Sequence, residues 1–529
     1  MVAIIKSKRL TLLVALISIS ILVYLNGLNN GFVSDDKGLL SQPTVHDLRT
    51  AILTLFYKFD LHSPAYFRIV NILFHAGSTA ILFLIFLSFF SPFTSFLGAL
   101  FFAVHPVHVE SVTWISGGGY VQYSFFFLLS FFLYIKSKKH WTLYFVSLLS
   151  FVASLLSSPV ALSLAIVFPL YELTVGKLKK NWPKALPYVI SVGILAFPYI
   201  LNIGPRLATF QAGSYQDQST YNPLFQIPVA LSSYLVLLVW PDKLTLYHSE
   251  LAFSSINFVL RAVIVVGYFI LLFVLFKKNK KLFFWASLYV VSLLPTLTPF
   301  RVAWIVAERY VYLGSISCLL LIAYGAEILF KKYGKAIVLL ISIFALLLSM
   351  RTIIRNFDWK DEDSLWIAAS RTSPSSWVNH NNLGDVYARR GEYGKSIQEF
   401  EIAIALNPQY ADAYNNMANV LVKLGKRQEA YLAYEQAVAL NPNLWQAYFN
   451  MSTFFYELQD MIHAEEYLLR AIRINQNDSK LYAHLGVIYL NVKNLRKAEG
   501  AFTESLQIDR NNQMAQRGLA EVNKIKHNP

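Results

Sequence analysis

The sequence predicts an all-α protein in two parts: a polytopic bundle of about 11 membrane-spanning helices, then a repeat α-solenoid. Three observations predict it. The 529-residue chain is 55% hydrophobic with a mean hydropathy of +0.44, and only 15% of it is charged, against roughly a quarter in soluble domains. Apolar stretches long enough to cross a bilayer recur as far as Met350. From Trp377 onward the chain repeats every 34 residues. This composition excludes a disordered chain and a disulfide scaffold, and the single cysteine, Cys318, has no internal partner. The expected domains are a membrane part (1–350), a linker helix (351–376), four repeats (377–512) and a capping helix with a tail (513–529).

Spans are expected near 10–26, 66–90, 95–110, 119–135, 141–157, 159–175, 185–203, 257–276, 282–299, 310–330 and 336–350. The net charge of +15 would ordinarily point to nucleic acid, but its distribution argues against that partner. Residues 1–350 hold 26 Lys and Arg against 11 Asp and Glu, whereas residues 351–529 hold 20 of each. Of those 26, 17 fall in five acid-free clusters: 6–9, 136–139, 177–184, 277–281 and 331–335. The positive-inside rule puts all five clusters in the cytoplasm. The expectation is an integral plasma-membrane (inner-membrane) protein with a cytoplasmic N-terminus and extracytoplasmic repeats. Segment 226–240 is then re-entrant or interfacial, because a further full span would put Lys277–Lys281 outside. The first span reads as an uncleaved anchor, since 26–31 (Asn-Gly-Leu-Asn-Asn-Gly) is not a small-x-small cleavage site. Residues 44–58 read as a helix lying on the membrane surface.

Nine of the 11 acids in the membrane part fall in or beside the outer loops, together with Arg68, Arg206, Arg301 and Arg309. Ionisable groups at span ends are costly unless paired or at work in a cavity. The adjacent carboxylates Asp35 and Asp36 can divide labour, one as general base on a hydroxyl and one orienting or binding a cation; they can equally be a solvated loop pair or a helix cap. His105 and His108, followed by Glu110, can share a face toward a ligand or metal, or simply mark a span end. Arg301, Glu308, Arg309 and Tyr312 can grip a phosphate; the alternative is a Glu308–Arg309 ion pair with interfacial tyrosines. Arg68 can hold phosphate or neutralise Asp35 or Asp36. These residues fix no cofactor, and a divalent cation is compatible with them.

The four repeats are 377–410, 411–444, 445–478 and 479–512. Their eighth position is small (Gly384, Ala418, Ser452, Gly486), as is the twentieth (Ser396, Ala430, Ala464, Ala498), and the twenty-fourth is large (Phe400, Tyr434, Leu468, Phe502). Small residues let two helices approach and large ones fill the space between them, which is the tetratricopeptide pattern of paired helices. Position six reads Asn382, Asn416, Asn450 and His484. Stacked on the concave face, these amides could hydrogen-bond an extended peptide backbone, much like the asparagine ladder of O-linked N-acetylglucosamine transferases. Alternatively, Asn is simply common there.

Three stretches in order carry a wider resemblance: Phe101-Phe-Ala-Val-His-Pro-Val-His-Val-Glu-Ser-Val-Thr-Trp-Ile115, Ser233-Tyr-Leu-Val-Leu-Leu-Val-Trp-Pro-Asp-Lys-Leu244 and Ala307-Glu-Arg-Tyr-Val-Tyr-Leu313. The linker, with Trp359 and Trp366, also matches. The chain resembles multispanning glycosyltransferases of the GT-C class, specifically prokaryotic relatives of the transmembrane and tetratricopeptide repeat containing O-mannosyltransferases. That resemblance implies an inverting transfer of a sugar such as mannose from polyprenyl phosphate to Ser or Thr of an exported protein. It implies an active site in the outer loops, with Asp35 or Asp36 as the base. Two departures remove charge: Ser116-Gly-Gly-Gly-Tyr120 replaces a charged run, and Ser157-Ser158-Pro159 lacks the usual Lys. They keep open an alternative, a catalytically degenerate membrane-anchored scaffold for exported partners. A transporter fits less well, because the ionisable residues sit in loops rather than mid-span.

Overall fold

The computed structural model describes residues 2–36, 38, 47–137, 140–201, 223–246, 248, 254–297 and 305–527. All regular elements among them are helical. The chain divides into two compact units, Met1–Pro374 and Ser375–Pro529.

In the first unit, α1 (Val2–Leu22) leads through a polar turn and first loop to α2 (Leu48–Lys58), α3 (Pro64–Phe86) and α4 (Pro92–Val104). After a 3₁₀ turn come α5 (Val109–Val112), α6 (Gly119–Lys136), α7 (Trp141–Ser157), α8 (Val167–Thr174) and α9 (Leu178–Leu201). The unit continues with α10 (Pro223–Val239), α11 (Ser255–Lys278), α12 (Lys280–Leu293), α13 (Ser315–Tyr333), α14 (Lys335–Asp358) and α15 (Glu362–Thr372). Among the described residues, five helices are long and apolar enough to cross a membrane, Arg9–Gly27, Pro64–Phe86, Ser116–Lys136, Ser255–Lys278 and Lys335–Asp358, and the bent pair Pro92–Val104 and Pro106–Val112 makes a sixth if it is one span.

Prolines account for several differences from the expected spans. Segment 95–110 is broken at Pro106, with a 49° bend between its two halves, because proline cannot donate to the preceding turn and its ring displaces it. Segment 159–175 opens as the 3₁₀ stretch Pro159–Ile166 before becoming α8. Segment 282–299 leaves the α-helix at Leu293, just before Pro295. The surface helix starts at Leu48, capped by the Asp47 carboxylate and Thr50 hydroxyl; residues 44–46 lie outside the described residues. The core is rich in aromatic contacts, such as Phe168 stacked on Tyr188 at 3.7 Å and Trp285 edge-on to Phe86 and Phe89.

In the second unit the first helix of each pair begins at Trp377, Ala411, Trp445 and Ser479, and a last helix, Gln513–His527, follows the fourth pair. The small positions act as the period implies. A Cβ on Gly384 would lie 2.7 Å from the Phe400 ring, and one on Gly486 2.5 Å from Phe502. The Ser396 hydroxyl donates to Gly384 O at 2.7 Å, tying the two helices where they touch. The fifteenth position takes a positive φ in every repeat: Gly391 (75°), Gly425 (74°), Gln459 (65°) and Lys493 (58°). Glycine adopts it without steric cost, and the last two repeats tolerate it in other residues.

Candidate functional site

The first loop is bracketed by residues the sequence reading passed over. The Asn356 amide of α14 donates to Val23 O at 2.9 Å and to Asn26 Oδ1 at 2.7 Å. Asn30 donates to Asn356 O at 2.8 Å, and Gly31 N–H to Lys360 O at 2.7 Å. The polar run 26–31 is therefore a clasp holding the loop to the end of α14. Its only sequence signal was amide residues crowded at a span end.

Arg68 is buried, and its guanidinium donates to three carbonyl oxygens, those of Thr113, Asn30 and Gly31. This is a correction to its reading as a phosphate grip. Its charge offsets a small part of the rise that burial imposes on the Asp36 carboxyl.

The two adjacent carboxylates part company. Ser34 has φ 52°, a left-handed conformation costly for a residue with a side chain, and its N–H donates to Glu362 Oε2 at 3.0 Å. After this turn Asp35 is exposed and Asp36 is buried. Asp36 Oδ1 accepts from Ser116 N–H at 2.8 Å and from the Ser116 hydroxyl at 2.7 Å, while Oδ2 accepts from Val33 N–H at 3.2 Å. Burial raises the Asp36 carboxyl above its ordinary range; Ser116, Val33 and Arg68 pull it back in part.

The Ser116-Gly-Gly-Gly run makes this possible by close approach. A Cβ on Gly117 would lie 2.2 Å from the Glu110 carbonyl oxygen, and one on Gly118 2.2 Å from Asn71 Oδ1. Gly117→Ala should therefore lower stability by about 1–3 kcal/mol, because backbone cannot yield as a side chain can. Thermal unfolding of the solubilised protein measures it, with Gly193→Ala as the control, since a Cβ there meets nothing.

Glu308 and Arg309 do not pair with each other, which corrects that alternative. They lie in the 3₁₀ turn Glu308–Val311, where successive side chains point about 120° apart. Arg309 forms an ion pair with buried Glu110, and its backbone N–H donates to Glu110 Oε2 at 2.8 Å. The guanidinium also lies 5.5 Å from the Trp114 ring and 5.0 Å from the Tyr310 ring. Trp114 joins this pair to the first loop, donating from its indole to Val33 O at 3.3 Å. Glu308 Oε1 instead accepts from Thr245 N–H at 2.5 Å and from Arg355 at 3.3 Å, with His248 3.7 Å away. Arg355 also pairs with Asp358 at 2.8 Å. Neither Arg355 nor His248 was singled out from the sequence. Among the described residues, Glu308 Oε2, Arg355 Nε and His248 Nε2 have no hydrogen-bond partner. Arg301 lies outside the described residues.

The histidines serve different neighbours. Pro106 ends α4, so His105 is extended (φ −76°, ψ 126°) rather than one turn below His108. His105 bonds to Leu238 O at 3.1 Å, and His108 bridges Phe102 O at 2.9 Å and Ser315 Oγ at 2.8 Å. Their ring centroids are 5.9 Å apart, and the two rings bond to different neighbours. Tyr312 is buried against His75, hydroxyl to Nδ1 at 2.7 Å. Among the described residues no three His, Cys, Asp or Glu side chains gather as metal ligands.

In the repeat unit the amides interlock one repeat to the next. Asn416 donates to Asn381 Oδ1 at 3.0 Å, Asn450 to Asn415 Oδ1 at 2.9 Å, and Asn415 to Asn416 Oδ1 at 3.1 Å. The ladder thus involves positions five and six together; Asn382 occupies the same register one repeat earlier. A cavity of about 420 Å³ opens between the first helices of repeats two, three and four, lined by Asn416, Asn450, Trp445 and Phe449. Phe449 also lines a neighbouring apolar cavity of about 280 Å³, with Tyr456, His484 and Met514.

Comparison with known proteins places both units. The family models "TPR repeat" and "Tetratricopeptide repeat" match residues 384–425, and 411–444, 446–478 and 479–512, respectively. The chain is 26% identical to Protein O-mannosyl-transferase F38B6.6 of Caenorhabditis elegans, over 77% of this chain and 64% of that protein. It is 23% identical to Protein O-mannosyl-transferase TMTC3 of Homo sapiens, over 77% of this chain and 52% of that protein. For Protein O-mannosyl-transferase TMTC4 of Homo sapiens the figures are 24%, 68% and 58%. The chain spans from about half to just under two thirds of the length of these relatives.

Proposed function

We propose, from the premise that this chain is a relative of the protein O-mannosyl-transferases, that it is an inverting glycosyltransferase of the membrane. It moves mannose from a polyprenyl-phosphate donor to Ser or Thr of exported proteins, which the repeats recruit. Lysine clusters mark the cytoplasmic side of the plasma membrane, with the N-terminus there and the repeats outside.

The observation that carries this reading is the division of the carboxylate pair: Asp36 is anchored by Ser116, and Asp35 is exposed beside it. In the proposed step Asp35 accepts the proton of the acceptor hydroxyl. The hydroxyl oxygen forms a bond to the anomeric carbon from the face opposite the phosphate. The carbon–oxygen bond to phosphate breaks, and its electron pair leaves on the phosphate, inverting the sugar. Arg309, braced by Glu110, stabilises the departing charge.

The test is transfer by the purified full chain from polyprenyl-phosphate-mannose to an exported acceptor, with modified Ser or Thr located by mass spectrometry. Transfer is expected from the parent chain and not from the Asp35→Asn, Asp36→Asn double variant; full activity in the double variant overturns the reading. The scaffold reading draws on the carbonyl-bound Arg68 and predicts acceptor binding with no transfer.

The pH profile has a definite sign. Asp36 must be ionised to accept from all three of its donors, and burial raises its pKa. Acidification should therefore reduce transfer through a pKa above the ordinary carboxylate range. Ser116→Ala removes a donor that lowers that pKa, so the acid limb should move to still higher pH.

A further inference from the structure

The lysine-rich end of the first unit holds a cavity that the proposed transfer does not use. It lies among the ends of α6 and α8 and the start of α9, with a volume of about 380 Å³. Its base is organised around buried Glu172. The Tyr134 hydroxyl donates to Glu172 Oε1 at 3.0 Å, while Lys177 N–H and the Asn181 amide donate to Oε2 at 3.1 and 2.7 Å. These donors satisfy the carboxylate and fix the turn into α9.

The cavity is also lined by Lys177, the residue just before α9, and by Lys180 and Lys184, four residues apart on one face of that helix. All three are exposed. None has a carboxylate within ion-pair distance among the described residues, in contrast to Lys331 on Glu327 at 2.7 Å. Beyond Lys184 the same helix turns apolar while staying exposed, at Val189, Ile190 and Ile194. Two indoles flank the change. Trp182 and Trp141 are 55% and 77% exposed, and tryptophan concentrates at headgroup depth. Tyr144, one turn on from Trp141, donates to Lys184 O at 2.9 Å and so sets α7 against the lysine face.

We infer that this cavity binds the phosphate headgroup of an anionic lipid, whose acyl chains run along the apolar face of α9. A free phosphate offers the same oxyanion to three ammonium groups. Exposed apolar side chains farther along the same helix, at Val189, Ile190 and Ile194, together with the flanking indoles, commit the site to a lipid. Basic pockets between membrane helices on the lysine-rich side take such headgroups.

The test uses the full chain in phosphatidylcholine nanodiscs doped with photoactivatable phosphatidylglycerol, with crosslinking titrated against unlabelled phosphatidylglycerol. Crosslinks are expected in α8 and α9. Apparent affinity should fall about fivefold for each of Lys177→Gln, Lys180→Gln and Lys184→Gln. The matched set Lys277→Gln, Lys278→Gln and Lys280→Gln, in another basic cluster, should leave it unchanged. Equal losses from both sets would mean general attraction to the basic end and overturn the site. Displacement by inorganic phosphate as effectively as by phosphatidylglycerol would mean a soluble-anion site and overturn it as well.

Discussion

Glu110→Gln should be among the most damaging single substitutions in the membrane unit, costing about 3–5 kcal/mol of stability. Glu110 is fully buried, and both its carboxylate oxygens meet Arg309, one through the backbone N–H and one through the guanidinium. Removing the negative charge leaves a guanidinium, only 12% exposed, with no countercharge in a medium that cannot solvate it. The double variant Glu110→Gln, Arg309→Met removes both charges and should recover most of the loss, because a neutral apolar replacement needs no partner. Thermal unfolding of the solubilised protein measures both. The same double variant separates structure from chemistry: if Arg309 stabilises the leaving phosphate, the protein regains its melting temperature but not transfer. Recovery of both would confine the pair to a structural role.

Asp35→Asn should lower transfer by about 10²–10⁴-fold, the usual range for loss of a positioned base, with no change in melting temperature. Asp35 is exposed, so little of the fold depends on its charge. Asp36→Asn should act differently. Its amide cannot accept from Ser116 and Val33 N–H groups on both sides at once, so an –NH₂ faces a donor. That should cost about 1–3 kcal/mol and loosen the loop, lowering transfer and stability together. Identical profiles for the two variants would contradict the division of labour proposed for the pair.

The repeat unit was legible in the sequence because its contacts are local and recur. Position eight meets position twenty twelve residues later, as in Ser396 on Gly384 and Ser452 on Ala464, and the four copies repeat the same residue pattern. The amide ladder was half legible. Position six was visible as a column, but its partner at position five belongs to the preceding repeat, at Asn381 and Asn415. In the membrane unit the apolar runs and the basic clusters were equally plain. The helix breaks at Pro106 and Pro159 followed from proline chemistry, yet a hydropathy window averages across them.

The polar partners were a different matter. Glu308 and Arg309 are neighbours in the chain and look like a pair, yet a 3₁₀ turn sends one to Arg355 and the other to Glu110, 47 and 199 residues away. Asp36 finds Ser116 at a separation of 80 residues, and Asn26 finds Asn356 at 330. A run that looked like a lost charged motif, Ser116-Gly-Gly-Gly, proves to be a place where backbones touch.

The sequence by itself determined the helical class, the repeat register and the positions of the basic clusters between apolar runs. Each of these depends on composition or on spacings within a few helical turns, which the chain carries locally. Only the tertiary structure decided which of two adjacent carboxylates is buried, which arginine faces carbonyls and which faces a carboxylate, and that a lysine face borders a cavity. Those outcomes depend on desolvation and on hydrogen-bond partners brought together from distant segments, and a charge has no fixed role until its surroundings are assembled.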